Sequence, residues 1–266
     1  MELEIETTNK CQCKCTFCVR PLEPPEHPEV ITDEVYKGIL KSAKDMSIQV
    51  IYLTGLGDPF FDPRLAQRIK QAKKAFPKVN IVIYTNGILA TKDRLLECVK
   101  AGLDTCYFSI NAGTARMHEQ VMGIKGKFDD VEKNLKDALE LNLNVIASVV
   151  VGNPYLESGE FDIIQKKWPR EIIFGHNPGN WAGKVYKLKY VPQHEYCRWH
   201  RHLIHVNLKG EMCLCCFDPR GRYGFGSLLE NSLKDIWFGE KHQQFLRRLE
   251  EHGRASIIPC SECTTI

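Results

Sequence analysis

Apolar and polar positions follow a regular rhythm over the first two thirds of the chain. Short apolar runs rich in Val, Ile and Tyr alternate with longer segments in which apolar residues recur at helical spacing. The runs predict buried strands, because β-branched and aromatic side chains suit a pleated surface, and the segments between them predict amphipathic helices. Strands are predicted at residues 3–7, 49–54, 79–85, 105–110, 144–151 and 171–174. Helices are predicted at residues 32–46, 63–75, 92–101, 128–141 and 157–166.

This order of strands and helices predicts an α/β fold. Six strand-then-helix units in series form a parallel sheet with right-handed crossovers, and ligands of such sheets gather at the carboxyl ends of the strands. Small and polar residues recur at all six ends, which predicts a shared site, although turn chemistry alone would produce part of the pattern. These residues are the cysteine loop at 11–18, Gly57-Asp58-Pro59, Thr85-Asn86-Gly87, Ser109 and Asn111, Gly152-Asn153, and His176-Asn177.

The alternation stops beyond Gly183, so the sequence predicts two parts with different organisation. We expect an α/β unit at residues 1–182 and a smaller extension at residues 183–266. Lys209-Gly210 between two short apolar runs is typical of a hairpin. The elements predicted for the extension are strands at 205–208 and 212–215 and a helix at 228–249.

Cysteine is the unusual feature of the composition, since the chain has 12 Cys. No apolar run approaches the ~20 residues of a membrane helix, and the N-terminus lacks the layout of a signal peptide, so we expect a cytoplasmic protein. Because disulfides are uncommon in a reducing cytoplasm, metal or redox chemistry is the better explanation. A net charge of +3 is too small to indicate a nucleic acid or a membrane as partner. Cys98 and Cys106 stand alone in apolar segments and are predicted to be buried.

The first cysteine set has the spacing Cys11-x3-Cys15-x2-Cys18, with Phe17 before the last thiol. Thiolates this close on a loop can converge on one soft metal centre. The pattern resembles the signature of the radical S-adenosylmethionine (radical SAM) family. The resemblance implies a [4Fe–4S] cluster held by these three cysteines, with one iron open for SAM and Cys13 as a bystander. Zinc is the alternative, although zinc sites usually draw ligands in pairs from two separated knuckles.

The resemblance also implies a partial (β/α)6 barrel and a set of SAM contacts at the strand ends. Gly57-Asp58-Pro59 is similar to the family motif that holds the amino group of SAM, with Asp58 where Glu is usual. Thr85 and Asn86 are similar to the segment near the methionyl end, and Ser109 to a ribose-facing position. The remaining cofactor-binding positions implied are Phe17, Asn111, Val151, Gly152 and Asn153. In the family, reductive cleavage of SAM gives a 5′-deoxyadenosyl radical that abstracts hydrogen from the substrate.

The second cysteine set combines Cys197-x17-Cys215 with Cys260-x2-Cys263. Together with the segment Gly226 to Trp237, this resembles the SPASM/twitch extensions of radical SAM enzymes. The resemblance implies one auxiliary [4Fe–4S] cluster held by Cys197, Cys215, Cys260 and Cys263, and Cys213 and Cys216 compete with Cys215. A structural zinc site using the same four cysteines is the alternative.

A fully ligated auxiliary cluster has no open iron for substrate, so electron transfer is its expected role. This favours a two-electron oxidation, and the architecture resembles that of 2-deoxy-scyllo-inosamine dehydrogenases, which oxidise an aminocyclitol alcohol to a ketone. Such a reaction needs a proton acceptor. The candidate is His176, with Asn177, Asn180 and Trp181 nearby, although this segment can also be read as a structured turn.

Two other functions are compatible with the sequence. SPASM/twitch enzymes also modify ribosomally made peptides, as maturases or epimerases, but those often carry an N-terminal recognition domain, whereas this chain begins at the first predicted strand. The second alternative is a non-catalytic iron–sulfur or zinc protein, against which the polar strand ends argue. We expect a small-molecule substrate, with a peptide as the alternative, and an electron donor such as flavodoxin or ferredoxin.

Overall fold

The computed structural model describes residues 1–176, 179–185 and 197–264. Within these residues, nine strands form one sheet in the order β6-β5-β4-β3-β2-β1-β7-β8-β9. The strands are β1 (Glu2–Ile5), β2 (Val50–Leu53), β3 (Asn80–Thr85), β4 (Thr105–Ser109), β5 (Asn144–Val150), β6 (Ile173–His176), β7 (Leu203–Val206), β8 (Glu211–Cys213) and β9 (Gly226–Ser227). The helices are α1 (Asp33–Ser42), α2 (Leu65–Ala75), α3 (Lys92–Ala101), α4 (Ala115–Met122), α5 (Phe128–Leu139), α6 (Glu160–Lys167), α7 (Leu233–Trp237) and α8 (Glu240–His252).

Strands β1 to β6 are parallel neighbours in chain order, which confirms the predicted α/β fold. Side chains alternate between the two faces of each strand. On one face, residues such as Ile51, Ile81 and Phe108 are buried in one core with helical residues such as Ile69 and Leu135. The opposite face, called the inner face below, carries tyrosine, glutamate, serine and histidine side chains.

Helix α4 is an element that the sequence analysis missed. Thr114 caps it, because its side-chain oxygen accepts a hydrogen bond from the Met117 N–H, and Gly123 ends it in the left-handed region. The end of α4 supports the cysteine loop, since Lys14 N donates to Met122 O at 2.9 Å and Thr16 N donates to Val121 O at 2.9 Å.

The extension continues the sheet. Strand β7 pairs with β1 in parallel, and β8 and β9 follow in antiparallel pairing. The predicted hairpin is confirmed, but it turns earlier than expected because the Asn207 side chain accepts hydrogen bonds from the Lys209 and Glu211 N–H groups. The boundary at 182/183 remains a prediction, and the sheet runs across it.

Several predicted elements differ in their bounds from the observed ones, and three of these differences have a clear local cause. The predicted helix at 228–249 is two helices, because Ser232 caps α7 and α8 begins after Gly239. Strand β6 begins two residues late because a 3₁₀ turn occupies Arg170–Ile172. Helix α6 begins at Glu160, after Gly159 in the left-handed region. Across the described ranges no helix has the length and apolar character needed to cross a membrane.

Candidate active site

The first cysteine set lies on the loop after β1, at the carboxyl end of the parallel strands. Cys11, Cys15 and Cys18 are partly exposed, whereas Cys13 is 3% exposed and belongs to the apolar core. The Cys15 Sγ lies 3.7 Å from the Met122 Sδ, and the Cys18 Sγ accepts a hydrogen bond from Arg20 N at 3.4 Å. This difference in exposure separates the three predicted ligands from the predicted bystander.

Cys11 and Cys18 are not activated by the protein alone. A hydrogen bond with Cys13 and burial raise the pKa of Cys11, and burial raises the pKa of Cys18. A thiol becomes a metal ligand as the thiolate, so a bound cation must supply the stabilisation. Three soft donors on one loop, two of them buried enough to need a cation, fit a thiolate-ligated iron–sulfur cluster.

Asp58 is a buried structural anchor of the site. Its Oδ2 accepts hydrogen bonds from Thr85 Oγ1 at 2.8 Å and Asn86 N at 2.7 Å, and its Oδ1 accepts from Phe60 N at 3.0 Å. Burial raises the pKa of this carboxyl although these hydrogen bonds oppose the change. Because a carboxylate has about four acceptor positions, Asp58 keeps little capacity for SAM.

Gly57 lies directly against the chain that leads to Cys11. Its N–H donates to Thr8 O at 3.1 Å, and an added Cβ would lie 2.3 Å from Thr8 O and 2.6 Å from Lys10 O. Both atoms belong to the backbone, so only glycine fits here without a shift of the loop. The loop after β2 therefore fixes the position of the first ligand.

Asn86 joins the end of β3 to the cysteine loop. Its Oδ1 accepts a hydrogen bond from Gln12 Nε2 at 2.9 Å, and its Nδ2 donates to the Cys11 Sγ at 3.7 Å. The neighbouring Thr85 hydroxyl accepts from Gly87 N at 3.0 Å while it donates to Asp58. The predicted site residues after β2 and β3 thus form one network around Cys11.

The predicted residues after β4 and β5 hold these strand ends together. Asn111 adopts a positive φ of 50°, and its side chain donates to Ser109 O at 3.3 Å and accepts from Val150 N at 3.0 Å. Asn153 donates to the Thr16 hydroxyl at 3.3 Å, which ties the end of β5 to the cysteine loop. Val151 and Gly152 are exposed beside it. These positions surround the loop, and their contacts with SAM remain predictions.

The inner face carries a row of aromatic rings. Tyr84 and Tyr107 stack with centroids 4.3 Å apart, Tyr52 follows at 6.3 Å from Tyr84, and Phe174 at 6.4 Å from Tyr107. The tyrosines are partly exposed and Phe174 is 51% exposed. Aromatic walls with few polar groups are typical of small-molecule sites.

His176 lies at one end of this row. Its ring is 5.6 Å from that of Phe174, and its Nε2 lies 3.1 Å from the Ser148 Oγ in a hydrogen bond. The sequence prediction placed it beside Asn177, which lies outside the described residues, and beside Asn180 and Trp181, which have other contacts. His176 and Ser148 therefore form the polar pair of this end of the inner face.

Asn180 and Trp181 connect the two cysteine sets. The Trp181 Nε1 donates to Phe17 O at 2.9 Å, and its ring lies 4.9 Å from that of Phe217. The Asn180 Nδ2 donates to Glu262 O at 2.7 Å. One segment thus contacts both the first cysteine loop and the C-terminal cysteine pair.

The second cysteine set lines a cavity. Five thiols contribute to its wall, those of Cys197, Cys215, Cys216, Cys260 and Cys263. Burial raises the pKa of Cys197, Cys215 and Cys216, and that of Cys260 to about 12, so these thiols also need a cation to ionise. Cys213 is not in this wall, and its Sγ donates to Glu211 O at 3.5 Å.

A buried donor in the same cavity fits an iron–sulfur cluster. Trp199 lines the cavity, and its Nε1 is buried with no hydrogen-bond acceptor among the residues that the structure describes. Buried N–H groups normally have a partner, and cluster sulfur accepts hydrogen bonds. Four thiols with this donor fit a closed cluster, and the choice between Cys215 and Cys216 stays a prediction.

The sequence analysis missed three ionisable residues of the inner face. Glu4 and Glu6 lie on and just after β1, and His205 lies opposite Glu4 on β7. All three are buried. The alternation Glu2, Glu4, Glu6 in the first strand was the available signal, because it places three acids on one face of a sheet predicted to be covered.

Two family models match the chain. One, described as the radical SAM superfamily, matches residues 5–164, which is more than half of the 266 residues. The other, SPASM, described as an iron-sulfur cluster-binding domain, matches residues 197–264. Each match contains one of the two cysteine sets.

Known proteins resemble the chain at low identity. A GTP 3′,8-cyclase from Desulforamulus reducens is 27% identical over 161 residues, or 60% of this chain and 49% of that protein. The chain spans about half the length of that relative. The structure of BtrN in complex with AdoMet and 2-DOIA has a TM-score of 0.73 at 19% identity and covers 100% of this chain and 93% of that chain. Streptococcus suis SuiB bound to precursor peptide SuiA has a TM-score of 0.72 at 16% identity, with 99% and 69% covered. At these identities the two structures establish the fold alone.

Proposed function

The chain belongs to the radical SAM superfamily and carries a SPASM iron–sulfur region, and from this premise we propose that it oxidises a small hydroxylated substrate by two electrons. Its cofactors are then a [4Fe–4S] cluster with SAM at the first cysteine set and an auxiliary iron–sulfur cluster at the second. The zinc alternatives and the non-catalytic alternative are therefore not retained. Within this family, the substrate and the exact reaction are the proposal.

One observation carries the proposal, namely the inner face with its aromatic row and its polar end. Tyr84 and Tyr107 offer ring faces against which the C–H side of a sugar or cyclitol can pack. His176 and Ser148, 3.1 Å apart, offer hydrogen bonds to a hydroxyl group. Such a surface suits a compact ring with hydroxyl substituents.

When bound at Cys11, Cys15 and Cys18, the cluster and SAM supply a 5′-deoxyadenosyl radical, which removes a hydrogen atom from an unactivated C–H bond. The chain positions this chemistry through Asp58 and Asn86, which fix the loops around Cys11. Conversion of the alcohol to a ketone then releases one electron and one proton. Cys197, Cys215, Cys260 and Cys263 leave no ligand position for substrate, so we assign the second site to electron acceptance.

The contacts with SAM are proposed on the family pattern. The residues are Phe17, Gly57, Asp58, Pro59, Thr85, Asn86, Ser109, Asn111, Val151, Gly152 and Asn153. Their common feature is that they line or support the strand ends around the cysteine loop. A small electron carrier such as flavodoxin or ferredoxin is the proposed reductant.

The experiment is anaerobic reconstitution followed by reaction with SAM, a chemical reductant and 2-deoxy-scyllo-inosamine. We expect about eight irons per chain and a product two mass units lighter than the probe, formed in step with 5′-deoxyadenosine. The matched control is scyllo-inositol, which keeps the ring and lacks the amine. If SAM is cleaved and neither ring compound loses hydrogen, the proposed substrate class is wrong.

A peptide substrate is the second candidate. The observation that favours it is the likeness to SuiB, whose structure holds a precursor peptide. That likeness is a likeness of fold, and the short aromatic row described here suits a compact ring better than an extended backbone. A peptide cross-linked or epimerised by this enzyme, with no oxidation of the ring compounds, would reverse this preference.

A further inference from the structure

A buried acid–imidazole pair joins the barrel strands to the extension. Glu4 on β1 and His205 on β7 are direct neighbours in the parallel pairing. The Glu4 Oε1 lies 3.2 Å from the His205 Nδ1. Glu4 is 8% and His205 is 2% exposed. Glu6 follows on the same side, and its carboxylate accepts a hydrogen bond from Leu56 N at 3.0 Å.

Apart from its contact with Glu4, His205 has no hydrogen-bond partner within the part of the chain that the structure describes. Neither ring nitrogen makes a hydrogen bond of good geometry within the described ranges, although Glu4 is at ion-pair distance from one of them. An unsatisfied buried polar group costs about 1–3 kcal/mol. By contrast, buried His242 on α8 has its Nδ1 2.7 Å from Trp237 O. The His205 ring is therefore held ready for an additional proton or polar group.

The charged groups around His205 favour its protonated form. The titratable groups around Glu4 and His205 are Glu6 directly after β1, Tyr52 from β2, Tyr84 from β3, Cys213 from β8, and Asp218 and Cys216 from the segment after β8. Burial alone would lower the pKa of His205, but the carboxylates of Glu4 and Glu6 outweigh it and raise this pKa. Burial raises the pKa of Glu6 to about 7.

The pair lies between the aromatic row and the second cysteine set. Glu4 pairs with Tyr52 across β1 and β2, and its side chain keeps 11% exposure. On the other side, Cys216, which lines the auxiliary cavity, is close enough to be influenced by the Glu4 charge. His205 is also the cross-strand neighbour of Cys213 on β8. A proton at Glu4 and an electron at the second cysteine set would thus be near each other.

We propose that Glu4 and His205 form the proton acceptor of the oxidation, with Glu4 facing the substrate and His205 holding the proton. This inference rests on the proposed function. After a hydrogen atom has left the carbinol carbon, the O–H proton passes to Glu4 and on to His205, the C–O bond becomes a C=O bond, and the auxiliary iron–sulfur cluster takes one electron. His176 then orients the hydroxyl, because its Nε2 is already engaged with Ser148.

Proton binding by Glu4 and His205 should be coupled to reduction of the auxiliary cluster, and this coupling can be measured without substrate. An added electron on the auxiliary cluster raises the proton affinity of a nearby buried pair, so reduction and protonation occur together. In an EPR redox titration of the reconstituted protein between pH 6.5 and 8.5, we expect the auxiliary midpoint to fall by up to about 59 mV for each tenfold decrease in proton concentration. Glu4→Gln and His205→Gln should each remove at least about half of this slope. His242→Gln should keep it.

Folding and function are read separately. Iron content and thermal unfolding identify a variant that fails to assemble. If His205→Gln fails to assemble, His205→Asn is used in its place. With 2-deoxy-scyllo-inosamine as probe, Glu4→Gln should lower product formation about 100-fold or more. A flat wild-type slope, or a full slope in assembled Glu4 and His205 variants, overturns the proton acceptor. A normal slope without ring oxidation would instead reject only the proposed substrate.

Discussion

The first cysteine set lies on one short loop, whereas the second is gathered from separated segments of the extension. In the first, three partly exposed thiols face the strand ends and the spare thiol, Cys13, is in the apolar core. In the second, the spare thiol lines the same cavity as the ligands. The Trp199 N–H, which has no acceptor among the described residues, lines it as well. The first arrangement leaves room for a ligand on the metal, and the second closes around it.

The largest expected effect separates ligand from bystander within the first set. Cys15→Ala should remove the SAM-binding cluster, with a loss of about four irons per chain and SAM cleavage at background. Cys13→Ala is the matched control and should keep both, because this thiol packs in the core. Iron analysis and 5′-deoxyadenosine quantification measure the two effects. SAM cleavage that survives in Cys15→Ala and disappears in Cys13→Ala would reverse the assignment.

The second prediction concerns the second cysteine set. Cys260→Ala should leave SAM cleavage within about tenfold of the parent while product from 2-deoxy-scyllo-inosamine disappears, because only the electron acceptor is lost. Cys98→Ala, a buried cysteine far along the chain from either set, serves as the control. Product and 5′-deoxyadenosine are quantified in the same reaction. Retained turnover in the Cys260 variant would refute the electron-acceptor role.

The third prediction concerns how the loop of the first cysteine set is positioned. Gly57→Ala would place a methyl group 2.3 Å from Thr8 O, which forces the cysteine loop to move. We expect overpacking of about 1–3 kcal/mol and SAM cleavage reduced about 100-fold by misplacement of the reacting groups. Gly126→Ala, where a Cβ meets nothing within 4 Å but the backbone has a φ of 64°, should cost some stability through backbone strain and change cleavage little. Equal effects of the two substitutions on SAM binding and cleavage would contradict the positioning role.

The sequence was sufficient for the series of parallel strands β1 to β6 and for the contrast between the two cysteine sets. Short apolar runs such as Val50–Leu53 carry a local signal, and cysteine spacing is itself local. The partner of a strand is not local, so the pairing of β1 with β7 could not be read from either segment alone. The spacing left Cys213 and Cys216 as competitors of Cys215. Strand β8 ends at Cys213, and the turn after β8 brings Cys215 and Cys216 to the cavity.

Asp58 illustrates the same limit within the site. Its motif indicated a ligand-binding acid, and the structure commits both carboxylate oxygens to Phe60, Thr85 and Asn86. These hydrogen bonds depend on which loops meet at the strand ends, and the spacing of residues along the sequence does not determine that. Helix α4, by contrast, carried a readable cap at Thr114 and was missed because it is only eight residues long.

The smallest expected effect concerns Glu6, which lies where the α/β unit meets the extension. Glu6 has an ordinary pKa of 4.5 and a folded-state pKa of about 7 because burial disfavours its charge. The folded protein therefore binds the proton more tightly, and stability present at low pH is lost as pH rises through 7. The raised pKa of His205 acts in the same direction, since its contribution is lost as pH rises through the folded value. At about 1.36 kcal/mol per pKa unit, Glu6 alone should lower the free energy of unfolding by roughly 2–3 kcal/mol between pH 5 and pH 8.

Glu6→Gln should remove most of this decline, because the amide keeps an oxygen for the Leu56 N–H and has no charge to bury. The measurement is anaerobic denaturant unfolding of both proteins at pH 5, 6.5 and 8. Glu26→Gln is the control, since the Glu26 side chain is 91% exposed and its removal should leave the pH dependence of the parent in place. Parallel stability curves for the parent and Glu6→Gln would mean that Glu6, directly after β1, does not hold a proton at neutral pH in the folded protein.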